Sequence, residues 1–175
     1  MAKIFYIFRH GETFVTKRGK TGYGLGTFAY GFQVFSAPIL AEGKPALYKM
    51  GLFMKDKKTD ANFSSPLLRC KQTSDIVTEM SGKVFVPDKR LREFFLEGFG
   101  SLVSRLQSLL KEIDEKEYES VAICTHAGVI AALIAMLTGD DRVPSHFDLL
   151  HYPMPGVLTI IEGKNIKEIN FNDPI

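Results

Sequence analysis

Tryptophan is missing from the 175 residues, and cysteine occurs only at Cys70 and Cys124. Two cysteines form neither a spaced disulfide framework nor a metal-ligand pattern, and they read as reduced thiols of an intracellular protein. Neither sign of charge is in excess. Twenty-two Lys+Arg against 20 Asp+Glu leave +2, too little to draw nucleic acid by bulk charge, though a local anion site stays open. Long apolar runs are missing as well. The longest, Ala127–Leu137, falls well short of the roughly 20 residues of a membrane span. The N-terminal apolar run stops at Arg9-His10, which is unlike a signal peptide. Repeats, low-complexity tracts and linkers are also lacking. The expectation is a soluble, cytoplasmic protein with no nucleic-acid or membrane partner. The composition that remains is ordinary for a globular chain, with 45% hydrophobic and 24% charged residues and a mean hydropathy of +0.01. The length fits one domain over residues 1–175 with a sizeable core.

Hydrophobic patterning places the elements. Ile4–Phe8 (IFYIF) is continuous, β-branched and aromatic, the pattern of a strand buried on both faces of a parallel sheet. Thr13–Pro38 is rich in glycine and aromatics without helical or strand period, and reads as a long loop of functional use. Apolar spacing predicts an amphipathic helix over Glu42–Lys57. A short strand follows at Ala61–Ser64, then a helix to about Met80 with Ser65 as N-cap, Pro66 in the first position and Thr73, Ile76, Val77 and Met80 facing inward. Lys83–Val86 is a further short strand. Leu102, Leu106, Leu109 and Ile113 mark another amphipathic helix. Ser120–Thr125 reads as a buried parallel strand, and Ala127–Leu137 as a buried helix stopped by Gly139. Val157–Glu162 and Ile166–Asn170 form a hairpin about Gly163-Lys164-Asn165. Strands alternating with helices imply a three-layer α/β/α sandwich with a mostly parallel central sheet.

Four clusters carry chemistry. Arg9-His10-Gly11-Glu12-Thr13 directly follows the first strand, where open α/β sheets bind ligands. Arginine and histidine there can meet an anion, and Gly11 permits a sharp turn and a close approach. Arg69, in Ser65–Thr73, sits in the first turn of a helix, an awkward place for a cation because that end is already positive. A bound anion would remove the conflict; a solvated arginine is the plainer reading of this segment alone. Thr125-His126-Ala127-Gly128 again joins strand to helix, where free backbone N–H groups cradle anions. Glu93, in Leu91-Arg92-Glu93-Phe94-Phe95, is a carboxylate flanked by aromatics, the setting of a general acid, and equally a loop glutamate. Gly22, Gly24 and Gly26 look superficially like a dinucleotide loop, but they do not lie between a strand and a helix. His146 and His151 fit no motif and read as structural.

Together these segments resemble the histidine phosphatase superfamily, the phosphoglycerate-mutase-like proteins. RHGET resembles that family's RHGxT/S signature and SSPLLRCKQT its second motif. LREFF resembles the segment of its acidic proton donor, and THAGVI its second-histidine motif, all in family order. Leu40-Ala41-Glu42-Gly43 resembles the start of its first helix. The resemblance implies a phosphoglycerate-mutase-like fold and metal-independent hydrolysis of a phosphomonoester, with a small phosphorylated substrate and no cofactor. It implies that His10 is the nucleophile that becomes phosphohistidine. Arg9, Arg69 and His126 would bind the phosphoryl oxygens, and Glu93 would serve as acid and then base. Arginines beside His10 fit this role, since they keep an attacking imidazole neutral.

Departures bear on substrate more than on catalysis. Gly98 is displaced relative to the family's acid segment, so Glu97 competes with Glu93 for the donor role. Thr16 stands where the family has a phosphate-contacting Asn. Thr21-Gly22 resembles a substrate-contacting pair of the mutases, with a one-residue gap, and Tyr23–Phe35 would wall the site. The alternatives are a phosphoglycerate mutase, which carries a longer insertion than Glu93 to His126 allows, and a protein phosphohistidine phosphatase, whose short members often lack the acid. A non-catalytic phosphate-binding module is a further alternative.

Overall fold

Strand β1 (Ile4–Arg9) runs through the middle of a six-stranded sheet of order β3-β2-β4-β1-β5-β6. The computed structural model describes residues 4–14, 16, 36–94, 97–139 and 153–173. The other strands are β2 (Ala61–Ser64), β3 (Val86–Pro87), β4 (Ser120–Thr125), β5 (Val157–Glu162) and β6 (Asn165–Asn170). Helices α1 (Lys44–Lys55), α2 (Leu68–Ser81), α3 (Phe99–Glu115) and α4 (Ala127–Thr138) cover the sheet, with short 3-10 turns at Ala41–Gly43 and Lys89–Leu91. Strands β1, β2, β3 and β4 are mutually parallel, and β5 and β6 are antiparallel. No helix among the described residues is long and apolar enough to cross a membrane.

The layers follow from the pleat. Successive side chains of a strand point to opposite faces. Phe5 and Ile7 join Val121, Ile123 and the apolar stripes of α3 and α4 in one core, containing Leu102, Leu106, Leu109, Ile113, Val129 and Leu133. Tyr6 and Phe8 join Ala122 and Cys124 in a second core, with Met50 and Met54 of α1 and Cys70 and Val77 of α2. Two cores on two faces make the three-layer sandwich, and Ile4–Phe8 is apolar throughout because both its faces are covered.

Boundaries differ where local chemistry overrides the pattern. The predicted helix 42–57 splits into the 3-10 turn and α1, with proline in the first turn of the latter. Strand β3 is confined to Val86–Pro87 at the sheet edge, so of the predicted Lys83–Val86 only Val86 pairs with β2. The hairpin turn is Gly163-Lys164 alone, because Asn165 already pairs with Glu162. Gly163 has φ +58° and Lys164 does not have positive φ, the pattern of a two-residue type II′ turn with glycine first. Phe14, Thr16 and Ser36 have helical backbone, so at these residues the loop expectation gives way. The rest of that stretch, including the Tyr23–Phe35 wall, lies outside the described residues.

Helices α1 and α2 pack closely at Gly51. A Cβ there would lie 2.6 Å from Met80 Cβ and 3.4 Å from Val77 Cα. Alanine in a helix interior ordinarily gains ~0.5–1 kcal/mol over glycine. Here the obstacle is a Cβ atom, not a side-chain tip, so the helices must separate. Gly51→Ala is therefore expected to destabilise by about 1–3 kcal/mol, seen as a lower urea midpoint; an unchanged or raised midpoint contradicts the packing.

Candidate active site

The parallel register brings the chemistry to one edge. Arg9 at the end of β1 is opposite Thr125 at the end of β4, and Ser64 at the end of β2 is opposite Cys124. The residues that leave these strands are therefore His10, His126 and Ser65. Backbone bonds continue the ladders past the strand ends, from His10 N–H to the Thr125 carbonyl (3.0 Å) and from Ser65 N–H to the Cys124 carbonyl (2.9 Å). The next turn of chain after β2 starts α2 and supplies Arg69. Glu93 follows the 3-10 turn Lys89–Leu91, which Thr125 ties down by donating its hydroxyl to the Leu91 carbonyl (2.7 Å).

Arg9, His10, Arg69 and His126 are all buried. The rings of His10 and His126 are 5.3 Å apart between centroids. Arg69 Nη2 lies 3.1 Å from Glu93 Oε2 and 3.1 Å from His126 Nδ1. His126 Nε2 lies 2.8 Å from Ser65 Oγ, and Cys70 Sγ 3.6 Å from the same nitrogen. A guanidinium can only donate, so His126 Nδ1 accepts from Arg69 and the ring proton sits on Nε2, donated to Ser65. His10 Nδ1 is 2.8 Å from the Gly11 carbonyl, which can only accept, so the lone pair of His10 is on Nε2. Thr73 braces this turn. Its Oγ1 accepts from Gly11 N–H (2.8 Å) and donates to the Arg69 carbonyl (2.7 Å), linking the loop that carries His10 to the helix that carries Arg69.

The electrostatics favour neutral histidines. Burial, then the charges of Arg69 and Arg9, hold the His10 pKa well below 6.5. Burial also lowers that of His126, with Arg69 and Arg9 acting in the same direction and Cys70 opposing. His10, Glu93 and His126 each bring a ligand atom within 4.8 Å of one another, a possible seat for a metal ion. Arg69 Nη2, at 3.1 Å from both Glu93 and His126, puts a fixed cation in that same space. The donor set therefore suits an anion better than a metal.

Several sequence expectations need restating. Arg69 does stand in the first turn of α2, but it does not need an outside anion to relieve that position, because Glu93 pairs with it. Ser65 does not cap α2; the cap residue is Leu67 and makes no side-chain bond, while the Ser65 hydroxyl goes to His126. Gly11 does not have positive φ. Its lack of a side chain matters for packing, since a Cβ would meet Leu47 Cδ1 at 2.9 Å and Ile39 Cγ2 at 3.2 Å. Thr16 and Thr13 form a reciprocal helix cap. Thr13 N–H donates to Thr16 Oγ1 (2.8 Å) and Thr16 N–H to Thr13 Oγ1 (3.3 Å). Glu97 is held away from this cluster by Arg105, Arg92 and Ser101. Phe94 packs against the core that contains Leu91. Thr21, Gly22, Phe95, His146 and His151 lie outside the described residues. Ser65 and Thr73 are the site residues that sequence reasoning missed; both stood inside the second motif but read as a cap and a core residue.

Comparison with known proteins agrees with this geometry. The model of the histidine phosphatase superfamily (branch 1) matches residues 5–99 and 96–169. A curated relative from Hydrogenobacter thermophilus, named "Putative phosphoserine phosphatase 2", is 26% identical over 121 residues. That match takes in 50% of this chain and 59% of the relative, so the chain spans little more than half the relative's length. Among solved structures, the α-ribazole phosphatase of Shigella flexneri superposes with a TM-score of 0.72 at 19% identity, over 97% of this chain and 96% of that one. The phosphoglycerate mutase of Bacillus anthracis superposes with a TM-score of 0.64 at 16% identity, over 97% and 93%. At such identities the superpositions establish the fold.

Neutral buried histidines make stability depend on pH. Unfolded imidazoles titrate near 6.5 and the folded ones lower. Below pH 6.5 the unfolded chain binds protons that the folded chain does not, so stability is full above that pH and falls as pH drops. Each such histidine contributes a slope of at most about 1.4 kcal/mol per pH unit. Urea midpoints followed from pH 7.5 to 5.5 are expected to fall less steeply for His10→Asn than for the unaltered chain; equal slopes contradict the depressed pKa.

Proposed function

The chain belongs to the histidine phosphatase superfamily, and from that membership we propose that it is a phosphatase that hydrolyses a small phosphomonoester through a phosphohistidine on His10. The observation that carries the reading is His10 itself. It is a buried imidazole whose pKa burial, Arg69 and Arg9 push well down, with its free lone pair on Nε2. Such a group is a ready nucleophile. Phosphoryl transfer needs chiefly positioning and neutralisation of charge on the equatorial oxygens. Arg9, Arg69 and His126 supply it, joined at the site edge by the N-terminus of α4, which begins at Ala127.

A phosphoryl group enters between the arginines and His126, and its oxygens take Arg69 from Glu93. His10 Nε2 forms a bond to phosphorus as the bond to the leaving oxygen breaks. The Glu93 carboxyl gives that oxygen its proton, and the alcohol departs. Glu93, now a carboxylate, takes a proton from water as the water oxygen attacks phosphorus and the P–N bond breaks. Inorganic phosphate leaves and His10 is neutral again. A dianion beside His126 also reverses the balance that lowers its pKa, so Nδ1 can take a proton and donate to a phosphoryl oxygen. The superposed solved proteins are named for different phosphate compounds, which supports a reading built on the phosphoryl group they share.

The test is leaving-group chemistry in the presence of EDTA. His10→Ala is expected to lose turnover and acid-labile phosphoenzyme together while keeping its fold. Glu93→Gln is expected to slow phenyl phosphate by roughly 10²–10⁴-fold. The first turnover of 2,4-dinitrophenyl phosphate, whose leaving group needs no proton, should change far less. Phosphoenzyme at the unaltered level in His10→Ala contradicts the nucleophile. Equal loss on both esters contradicts the acid. No turnover of any ester by the unaltered protein would favour a phosphate-binding module.

A further inference from the structure

Glu93 lies in irregular chain, residues 92–94, that directly follows the 3-10 turn Lys89–Leu91. A general acid has to be held to a fraction of an ångström, and irregular chain does not do that unaided. Among the described residues, a single side chain grips the chain on both sides of Glu93. Arg105 Nη1 donates to the Arg90 carbonyl. Its Nη2 donates to the Arg92 carbonyl at 2.9 Å. Beyond Glu93, Glu97 Oε1 accepts from Arg105 Nη2 (2.5 Å) and Nε (3.1 Å). Glu97 also accepts from Ser101 Oγ at 3.0 Å and pairs with Arg92 Nη2 at 3.4 Å. The side chains of Arg105 and Glu97 are only 11% and 10% exposed. Little solvent competes for the pair, unlike an ordinary surface ion pair. Arg105 is anchored in turn by α3, whose neighbouring Leu102 and Leu106 are fully packed into the core.

From this geometry we infer that Arg105, with Glu97, is the positioning residue of the proton donor: a clamp that fastens the Glu93 segment to a rigid helix. The inference rests on the reading of Glu93 as the acid. It gives the second glutamate of the segment a part that requires no contact with substrate. The planar five-donor guanidinium suits the task, since two backbone carbonyls and a carboxylate are met at once. Lysine, with one point charge, can keep only part of that set.

The experiment is a cycle between Arg105→Met and Glu93→Gln, read on phenyl phosphate and 2,4-dinitrophenyl phosphate. Arg105→Met is expected to lower kcat on phenyl phosphate by roughly 10–100-fold, the order that a misplaced group costs. KM on that ester and the first turnover of the dinitrophenyl ester should shift by less than about 3-fold, since the nucleophile and phosphoryl contacts stay in place. Arg105→Lys recovers part of the loss. In the Glu93→Gln background, Arg105→Met should add nothing on phenyl phosphate, because the group it positions is already gone. Should Arg105→Met not fold, Glu97→Ala leaves Arg105 its carbonyl contacts and is expected to give a smaller loss in the same direction. Losses that multiply in the double variant, or fall equally on both esters, overturn the clamp while leaving Glu93 as donor. A Glu93→Gln protein with unaltered phenyl phosphate turnover overturns the donor, and the clamp with it.

Discussion

A buried cation at the positive end of a helix governs this site. Arg69 is shut off from water in the first turn of α2, where the helix dipole repels it. A second guanidinium, Arg9, is buried in the same cluster. At about 4 Å two unit charges interact by roughly 4 kcal/mol at the effective dielectric of a protein surface, so neighbouring groups have to answer this field. Glu93 does so by pairing with Arg69. The two histidines do so by remaining neutral, which burial also favours. The neutral state then fixes the tautomers. His126 presents a lone pair to Arg69 and its proton to Ser65, while His10 gives its proton to the Gly11 carbonyl and keeps Nε2 free. A neutral imidazole with its lone pair on Nε2, the form the proposed nucleophile needs, is thus a consequence of where the arginines are.

The sheet makes that concentration of charge possible. Parallel strands end at the same edge, and the register of β1, β4 and β2 sets His10, His126 and Ser65 in adjacent positions. An antiparallel neighbour would carry its next residue to the opposite end. Strand β5, which does run antiparallel to β1, contributes core but none of these side chains. The support is shared out among elements. Thr73 of α2 holds the turn after β1, and Thr125 at the end of β4 holds the 3-10 turn before Glu93. Each loop of the site is tied to a strand or helix that did not produce it.

Much of this was legible before any coordinates, for definable reasons. Near-continuous apolar runs along Ile4–Phe8 and Ser120–Thr125 mark two-sided burial, and the residue types just after those strands mark an anion site, so Arg9, His10 and His126 stand out. Arg69 stands out through its conflict with the helix dipole, although its partner proved to be Glu93 and not an external ion. Ser65 was obscured because serine before proline is also a cap, and only the parallel register reveals that its hydroxyl faces His126. Thr73 was obscured because a threonine on a buried helix face looks like core. Edge effects explain the rest. Strand β3 pairs with β2 only through Val86 and Pro87, and the hairpin tightens because Gly163 adopts the positive φ that a two-residue turn needs. Glu93 and Glu97 could not be ranked by spacing alone. What separates them is long-range, since Arg69 and Arg105 lie on different helices.

That separation bears on how one segment can hold two carboxylates for different ends. Glu97 answers three donors, Arg105, Arg92 and Ser101, and those contacts bring its pKa down despite burial. A carboxyl that bound would be a poor source of protons at neutral pH. Glu93 faces a different balance. Its partner Arg69 is also positioned to meet a phosphoryl oxygen, so an arriving dianion competes for the very cation that holds the carboxylate. Losing that partner leaves its carboxyl to face a leaving oxygen. Permanent partners thus suit Glu97 to fixing the chain, and a partner shared with the incoming phosphoryl group suits Glu93 to the proposed proton transfer.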